Sequence, residues 1–222
     1  KIRLWQIDAG KTKLILMDTD IDENPPHLRD ITSELYVTDR EKRLQQEIVM
    51  GIGGVAALDY LGIEPKIYHI NEGHSGFLVI SRLRKLMVEK GLAFSQARAL
   101  IRASTVFTTH TPVLAGNEYF KNELVERYVE PMLEDLGMTF DQFGPYGATE
   151  DESGTFCLPA LAIRFARYVN GVSKIHRDVS RRMWSMLFPK TPLAEIPIDY
   201  VTNGVHNSWL SEPLVGLFSR HI

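Results

Sequence analysis

Three short polar segments carry the residue types from which a ligand site could be built. Asn71-Glu72-Gly73-His74, Thr108-Thr109-His110-Thr111-Pro112 and Thr202-Asn203-Gly204-Val205-His206-Asn207 each follow an apolar or β-branched run. Asparagine and carboxylate side chains suit sugar hydroxyls because they donate or accept hydrogen bonds in fixed directions. Open α/β sheets bind ligands just beyond the carboxyl ends of their strands, so three such ends predict one polar small-molecule pocket. A metal reading also exists, since His69, Glu72 and His74 are zinc-ligand types. Their spacing, H-x-x-E-x-H, matches no metal motif with a physical basis. Side chains on a strand alternate faces, so His69 and His74 need not converge. A hydrogen-bonded core role for His69, and a plain turn closed by Pro112, stand beside the ligand readings.

Two glycine-bearing segments imitate phosphate-binding loops. Gly10-Lys11-Thr12 looks like the end of a P-loop, but Trp5 stands where that loop needs its first glycine, and the segment reads as a hairpin turn. Gly51-Ile52-Gly53-Gly54-Val55-Ala56 fits G-x-G-x-x-A, with Glu72 near the acidic position, yet that fingerprint requires a preceding strand. Leu44, Ile48 and Ile52 instead run one helical stripe through it. The small residues there read as close-packing positions within a helix.

The elements that must position these residues follow from hydrophobic period. Residues 2–7 and 13–18 read as a hairpin, and the polar stretch 20–30 with Pro25-Pro26 as a loop. Asp39 caps a helix carrying Leu44, Ile48, Ile52, Val55 and Leu58, stopped by Gly62. A strand over 66–70 precedes a helix opened by His74 and Ser75, with Phe77, Ile80, Leu83 and Met87 as its stripe and Gly91 as its stop. A short helix over 95–103 leads into the β-branched strand 105–109, and 112–116 is a loop. Helix is predicted over 118–136, loop with a short helix at 139–143 over 137–155, and a long helical stretch from Leu158 to Leu187 that Gly171 interrupts. Residues 198–202 read as the last strand. Strands alternating with helices favour an α/β fold with a mostly parallel sheet.

Composition narrows the function classes. The 222 residues are 44% hydrophobic and 24% charged, an ordinary globular balance and enough chain for a sizeable core. A formal net charge of −3 gives no general attraction to nucleic acid or anionic lipid. One cysteine permits neither an intrachain disulfide nor a cysteine-rich zinc site. No apolar run reaches the roughly 18 residues of a membrane helix, and no signal-like segment follows Lys1. A first residue other than Met leads us to expect a processed chain or an excised piece. A cytoplasmic location is the accompanying expectation.

Read in order, five segments resemble the α-glucan phosphorylases, the glycogen and maltodextrin phosphorylase family. They are Arg43-Leu44-Gln45-Gln46-Glu47, His69-Ile70-Asn71-Glu72-Gly73-His74-Ser75, Phe107-Thr108-Thr109-His110-Thr111-Pro112-Val113, Asn170-Gly171-Val172-Ser173-Lys174-Ile175-His176 and Thr202-Asn203-Gly204-Val205-His206. The N-E-G-H sequence is similar to the bacterial and archaeal branch. The resemblance implies two Rossmann-like domains facing across a cleft, the GT-B arrangement, with residues 1–222 as part of the N-terminal one. It implies cleavage of terminal α-1,4 linkages by inorganic phosphate, releasing glucose 1-phosphate. It also implies pyridoxal phosphate on a lysine of a C-terminal domain absent from this chain, whose phosphate serves proton transfer. His110 would sit beside the sugar being cleaved, its backbone carbonyl toward the C6 hydroxyl; Asn203 would bond the same sugar, and Val172 would line its edge. Glu72 and His74 would line the pocket below the anomeric carbon, while Thr111 and the loop to Gly116 would border glucan access and Arg43 would support helix packing. By the same reading the fragment alone is inactive, exposes apolar surface that a missing domain covers, and comes from a parent that is often a homodimer. Three competitors are a nucleotide-sugar glucan synthase of the same architecture, a non-catalytic carbohydrate-binding piece and a metallohydrolase.

Overall fold

Apolar β-branched runs and amphipathic stripes alternate along the chain, and the computed structural model turns them into a helix-flanked parallel sheet. It describes residues 1–35, 37–150 and 152–204. In chain order the elements are β1 (Arg3–Ala9), β2 (Thr12–Asp18), α1 (Pro26–Arg29), α2 (Arg40–Ile48), α3 (Gly54–Tyr60), β3 (Tyr68–Asn71), α4 (Leu78–Arg84), α5 (Phe94–Ala103) and β4 (Thr105–Thr109). Then come β5 (Tyr119–Lys121), α6 (Asn122–Glu134), α7 (Phe140–Phe143), β6 (Thr155–Cys157), α8 (Leu158–Phe165), β7 (Tyr168–Gly171), α9 (Lys174–Met183) and β8 (Ile198–Tyr200).

Four strands form the parallel sheet, in the order β3-β4-β7-β8. Its register places Ile70, Phe107, Val169 and Ile198 in one row across the strands. All four are buried, and they form part of the hydrophobic core with α4, α5 and α8. The next row toward the carboxyl ends is polar: Asn71, Thr108, Asn170 and Asp199. Because side chains alternate faces along a strand, this polar row looks to the other side of the sheet, where Thr108 contacts His69 and Asn170. Helix α8 is apolar all round and buried apart from Arg164, as a helix enclosed by other elements must be.

The hairpin β1–β2 is antiparallel, and Gly10 supplies the positive φ of +64° that its tight turn requires. It leaves Trp5, Ile7, Leu14 and Leu16 exposed. Asp39 caps α2 by accepting from the Lys42 amide. A wide π-type turn over Val49–Gly53 joins α2 to α3, so the glycine-rich segment is helical, not a phosphate loop. Gly51 is needed there because a Cβ would lie 2.8 Å from the Leu78 backbone nitrogen.

Three expectations are corrected. The helical stretch expected over 158–187 is α8, then strand β7, then α9. Its apolar spacing suits a helix, but the Arg167 amide bonds the Thr105 carbonyl at 3.0 Å and starts a parallel ladder with β4. Tertiary pairing overrides local period here. The helix expected from 118 starts at Asn122, because Tyr119–Lys121 pair antiparallel with Thr155–Cys157, a strand that begins at the last residue of the expected loop. The last strand stops at Tyr200, two residues short.

Candidate functional site

The site begins where β3 ends. Glu72 adopts φ 62° and ψ −174°, and its amide bonds the Thr108 carbonyl at 2.9 Å. Gly73 then passes so close to α8 that a Cβ would meet the Pro159 ring at 2.5 Å. That contact fixes the turn carrying His74. The Glu72 carboxylate is turned toward the end of β4. Its Oε1 accepts from the backbone amides of His110 and Thr111, the latter at 2.8 Å, and from the Thr111 and Thr109 hydroxyls at 3.3 and 3.5 Å.

Glu72, His74 and His110 line one cavity of about 450 Å³, together with Arg43, Glu47 and Glu118. Arg43, from α2, is its buried hub. Its Nε donates to both oxygens of Glu118 at 2.8 Å, and one terminal nitrogen reaches His74 Nδ1 at 2.8 Å and Glu47 Oε1 at 3.3 Å. A guanidinium can only donate, so Nδ1 of His74 accepts and the imidazole is neutral with its proton on Nε2. Burial and the Arg43 charge together hold the His74 pKa below its ordinary value.

The two carboxyls beside Arg43 behave oppositely. Burial, then the hydrogen bond and charge of Glu118, raise Glu47 well above the usual carboxylate range. Burial would raise Glu118 also, but hydrogen bonds from Glu47 and Arg43 outweigh it and hold Glu118 low. The two shifts have opposite directions, Glu47 raised and Glu118 lowered, as expected when neighbouring like charges cannot both ionise freely.

Glu47, His74 and Glu118 also form a group of metal-ligand types with their ligand atoms within 4.8 Å of one another. The Arg43 guanidinium contacts all three and supplies the positive charge a metal would bring. The sequence-level trio His69, Glu72 and His74 does not assemble. His69 is exposed and its Nε2 lies 2.7 Å from Thr108 Oγ1, while Glu72 and His74 are engaged as above.

Val172 and Asn203 lie at the ends of the next strands, outside that cavity's lining. The Asn203 amide bonds the Val172 carbonyl at 3.3 Å. His176, the first-turn residue of α9, joins them to the site: its Nδ1 accepts from the Val172 amide and its Nε2 donates to the Thr111 carbonyl, each at 3.2 Å. Val205, His206 and Asn207 lie outside the described residues. Sequence reasoning missed Glu47 and Glu118 and gave Arg43 a packing role only. An Arg-Glu pair four apart on α2 was the one available signal.

Comparison with known proteins now decides the family. No family model matches the chain. Among curated proteins it is 42% identical over 221 residues to maltodextrin phosphorylase of Thermococcus litoralis, covering 99% of this chain and 26% of that protein. It is 43% identical over 217 residues to glycogen phosphorylase of Mycobacterium tuberculosis, covering 93% and 25%. The chain matches a segment of the glycogen and maltodextrin phosphorylase family. Glycogen phosphorylase of Aquifex aeolicus agrees at 39% identity over 99% of this chain and 31% of its own length. The chain thus spans about a quarter to a third of the length of these relatives. Among the described residues, no helix is long and apolar enough to cross a membrane.

Proposed function

We propose that this chain forms part of the N-terminal domain of an α-glucan phosphorylase of the GT-B architecture. The whole enzyme would cleave terminal α-1,4-glucosidic bonds with inorganic phosphate and release glucose 1-phosphate. The observation that carries this reading is the cavity that gathers the N-E-G-H and T-H-T-P strand ends, in a chain about 40% identical to named phosphorylases. In this reading His110 and Asn203 hold the sugar being cleaved, Val172 lines its edge, and Glu72 and His74 lie below its anomeric carbon. The negative Glu72 and Glu118 carboxylates would favour the oxocarbenium-like charge that develops there. Neither would donate the proton; the substrate phosphate would.

Pyridoxal phosphate would belong to another part of the enzyme. The cavity does not fit it: among the described residues three carboxyl side chains line the space, the one lining guanidinium is already ion-paired, and no lysine lines it. An N-terminal piece without the cofactor site would be silent alone. The test is glucose 1-phosphate release from maltodextrin and phosphate by the full-length enzyme, with this 222-residue chain as control. Activity that requires phosphate and pyridoxal phosphate, with a silent control, supports the proposal. Glucosyl transfer from a nucleotide donor with no phosphorolysis would replace it with the synthase reading.

A further inference from the structure

Resting on that reading of the site, we infer that Glu72 also acts as a positioning residue, holding the His110 loop through its carboxylate. Its backbone, at φ 62° and ψ −174°, lies in a region that is essentially reserved for glycine. A glycine is adjacent, yet Gly73 has no positive φ. The strained position itself carries a side chain, and the glycine that would relieve it stands one residue later. Such strain persists only where surrounding contacts enforce it, and the contacts here are those of the carboxylate.

Those contacts occupy Glu72 Oε1 fully. It collects two consecutive backbone amides and two hydroxyls, all from Thr109, His110 and Thr111. The consequence for the loop follows from peptide planarity. In a trans peptide the N–H and C=O point in opposite directions. Because the Thr111 N–H points at Glu72, the His110 carbonyl must point away from it. That carbonyl is the one the sugar-facing reading assigns to the substrate. The next carbonyl, of Thr111, is held from the other side by His176. Both peptide planes beyond β4 are thus fixed, one by Glu72 and one by His176. The Glu72 amide, bonded to the Thr108 carbonyl, anchors the clamp to the same strand whose end it orients.

The test uses two variants of the full-length enzyme and amide hydrogen exchange resolved by residue. Glu72→Gln removes the charge, and Glu72→Gly removes the carboxylate while relaxing the backbone, so the second variant folds even where the first does not. Exchange at His110 and Thr111 should accelerate by about tenfold or more in both, as expected for charge-assisted bonds, while amides of β4 and α8 are unmoved. In the full-length enzyme, Glu72→Gln should lower kcat by about 100-fold with KM nearly unchanged and the shape of the pH profile retained. Unchanged exchange at both amides in a folded variant would overturn the inference. So would a rise in KM alone, the mark of a direct sugar contact. An inactive wild-type enzyme would sink the phosphorylase reading instead, and the exchange result would still decide the role of Glu72.

Discussion

Replacing Arg43 with Met tests whether the cavity's charges are held together by one cation. Arg43 is 7% exposed, and its partners Glu47 and Glu118 have side chains 2% and 28% exposed. Met keeps much of the stem's packing and removes the charge. It leaves Glu118 ionised without its two 2.8 Å bonds and beside the neutral Glu47. Breaking a buried ion pair by removing one partner destabilises by about 3–5 kcal/mol, and the partial exposure of Glu118 favours the lower end, about 3 kcal/mol. For a chain of this size the corresponding fall in Tm is about 6–12 °C. The loss should depend on pH. Glu118 has a folded pKa below its unfolded one, so its contribution is complete above the ordinary glutamate value of about 4.3 and disappears as pH falls through the folded value. The deficit of Arg43→Met should therefore shrink in acid. Adding Glu118→Gln should restore most of it at neutral pH, because no unpaired charge remains. Thermal unfolding followed by circular dichroism at pH 7.5 and pH 4 reads all three proteins. A loss below about 1 kcal/mol at pH 7.5, or no recovery in the double variant, would refute the reasoning.

Two further outcomes follow from the same region. Glu47 has a raised folded pKa, so the wild type loses stability as pH climbs from the ordinary glutamate range toward that value. Glu47→Gln mimics the neutral acid, and its Tm advantage over wild type should grow as pH rises above about 5 and vanish below about pH 4; a pH-independent difference would exclude a raised Glu47 value. Gly73→Ala forces a Cβ to within 2.5 Å of the Pro159 ring and 3.0 Å of its backbone nitrogen. It should cost about 1–3 kcal/mol by overpacking, measured by urea unfolding, with an unchanged midpoint speaking against the close packing of the site turn on α8.

The legible parts of this fold were those in which one period dominates. The β-branched run Thr105–Thr109 emerged with the expected bounds, and Asp39 and Gly62 frame the α2–α3 stretch as expected. Strand β7 was hidden because Leu161, Phe165, Val169 and Val172 keep helical spacing across the junction of a helix and a strand. Gly171 and the Ser173 N-cap mark a break locally, but only the ladder to β4 shows that the break is a strand. The site was legible as strand ends and illegible as charge. Arg43, Glu47 and Glu118 come from α2 and the loop before β5, and only the folded chain sets them beside His74. Glu72 illustrates both halves. Its place at a strand end was readable, whereas its orientation toward the His110 and Thr111 amides depended on a backbone conformation that no propensity predicts.

The polar strand ends are also tied to one another. Glu72 ties the end of β3 to the end of β4. His176 ties the loop after β4 to Val172, beyond β7. The Asn203 amide ties the segment beyond β8 to Val172. Each hydrogen bond in these ties is worth about 1–3 kcal/mol net, small against the core beneath it. In series, however, they fix four strand ends as one surface, so a single broken tie displaces every group beyond it while leaving the fold intact. Apolar positions one row below tolerate exchange for another residue of similar volume. A tie requires a particular donor or acceptor at a particular register. N-E-G-H, T-H-T-P and N-G-V-S-K-I-H are the segments that supply those groups, and a ligand bound across these ends would meet positions fixed before it arrived.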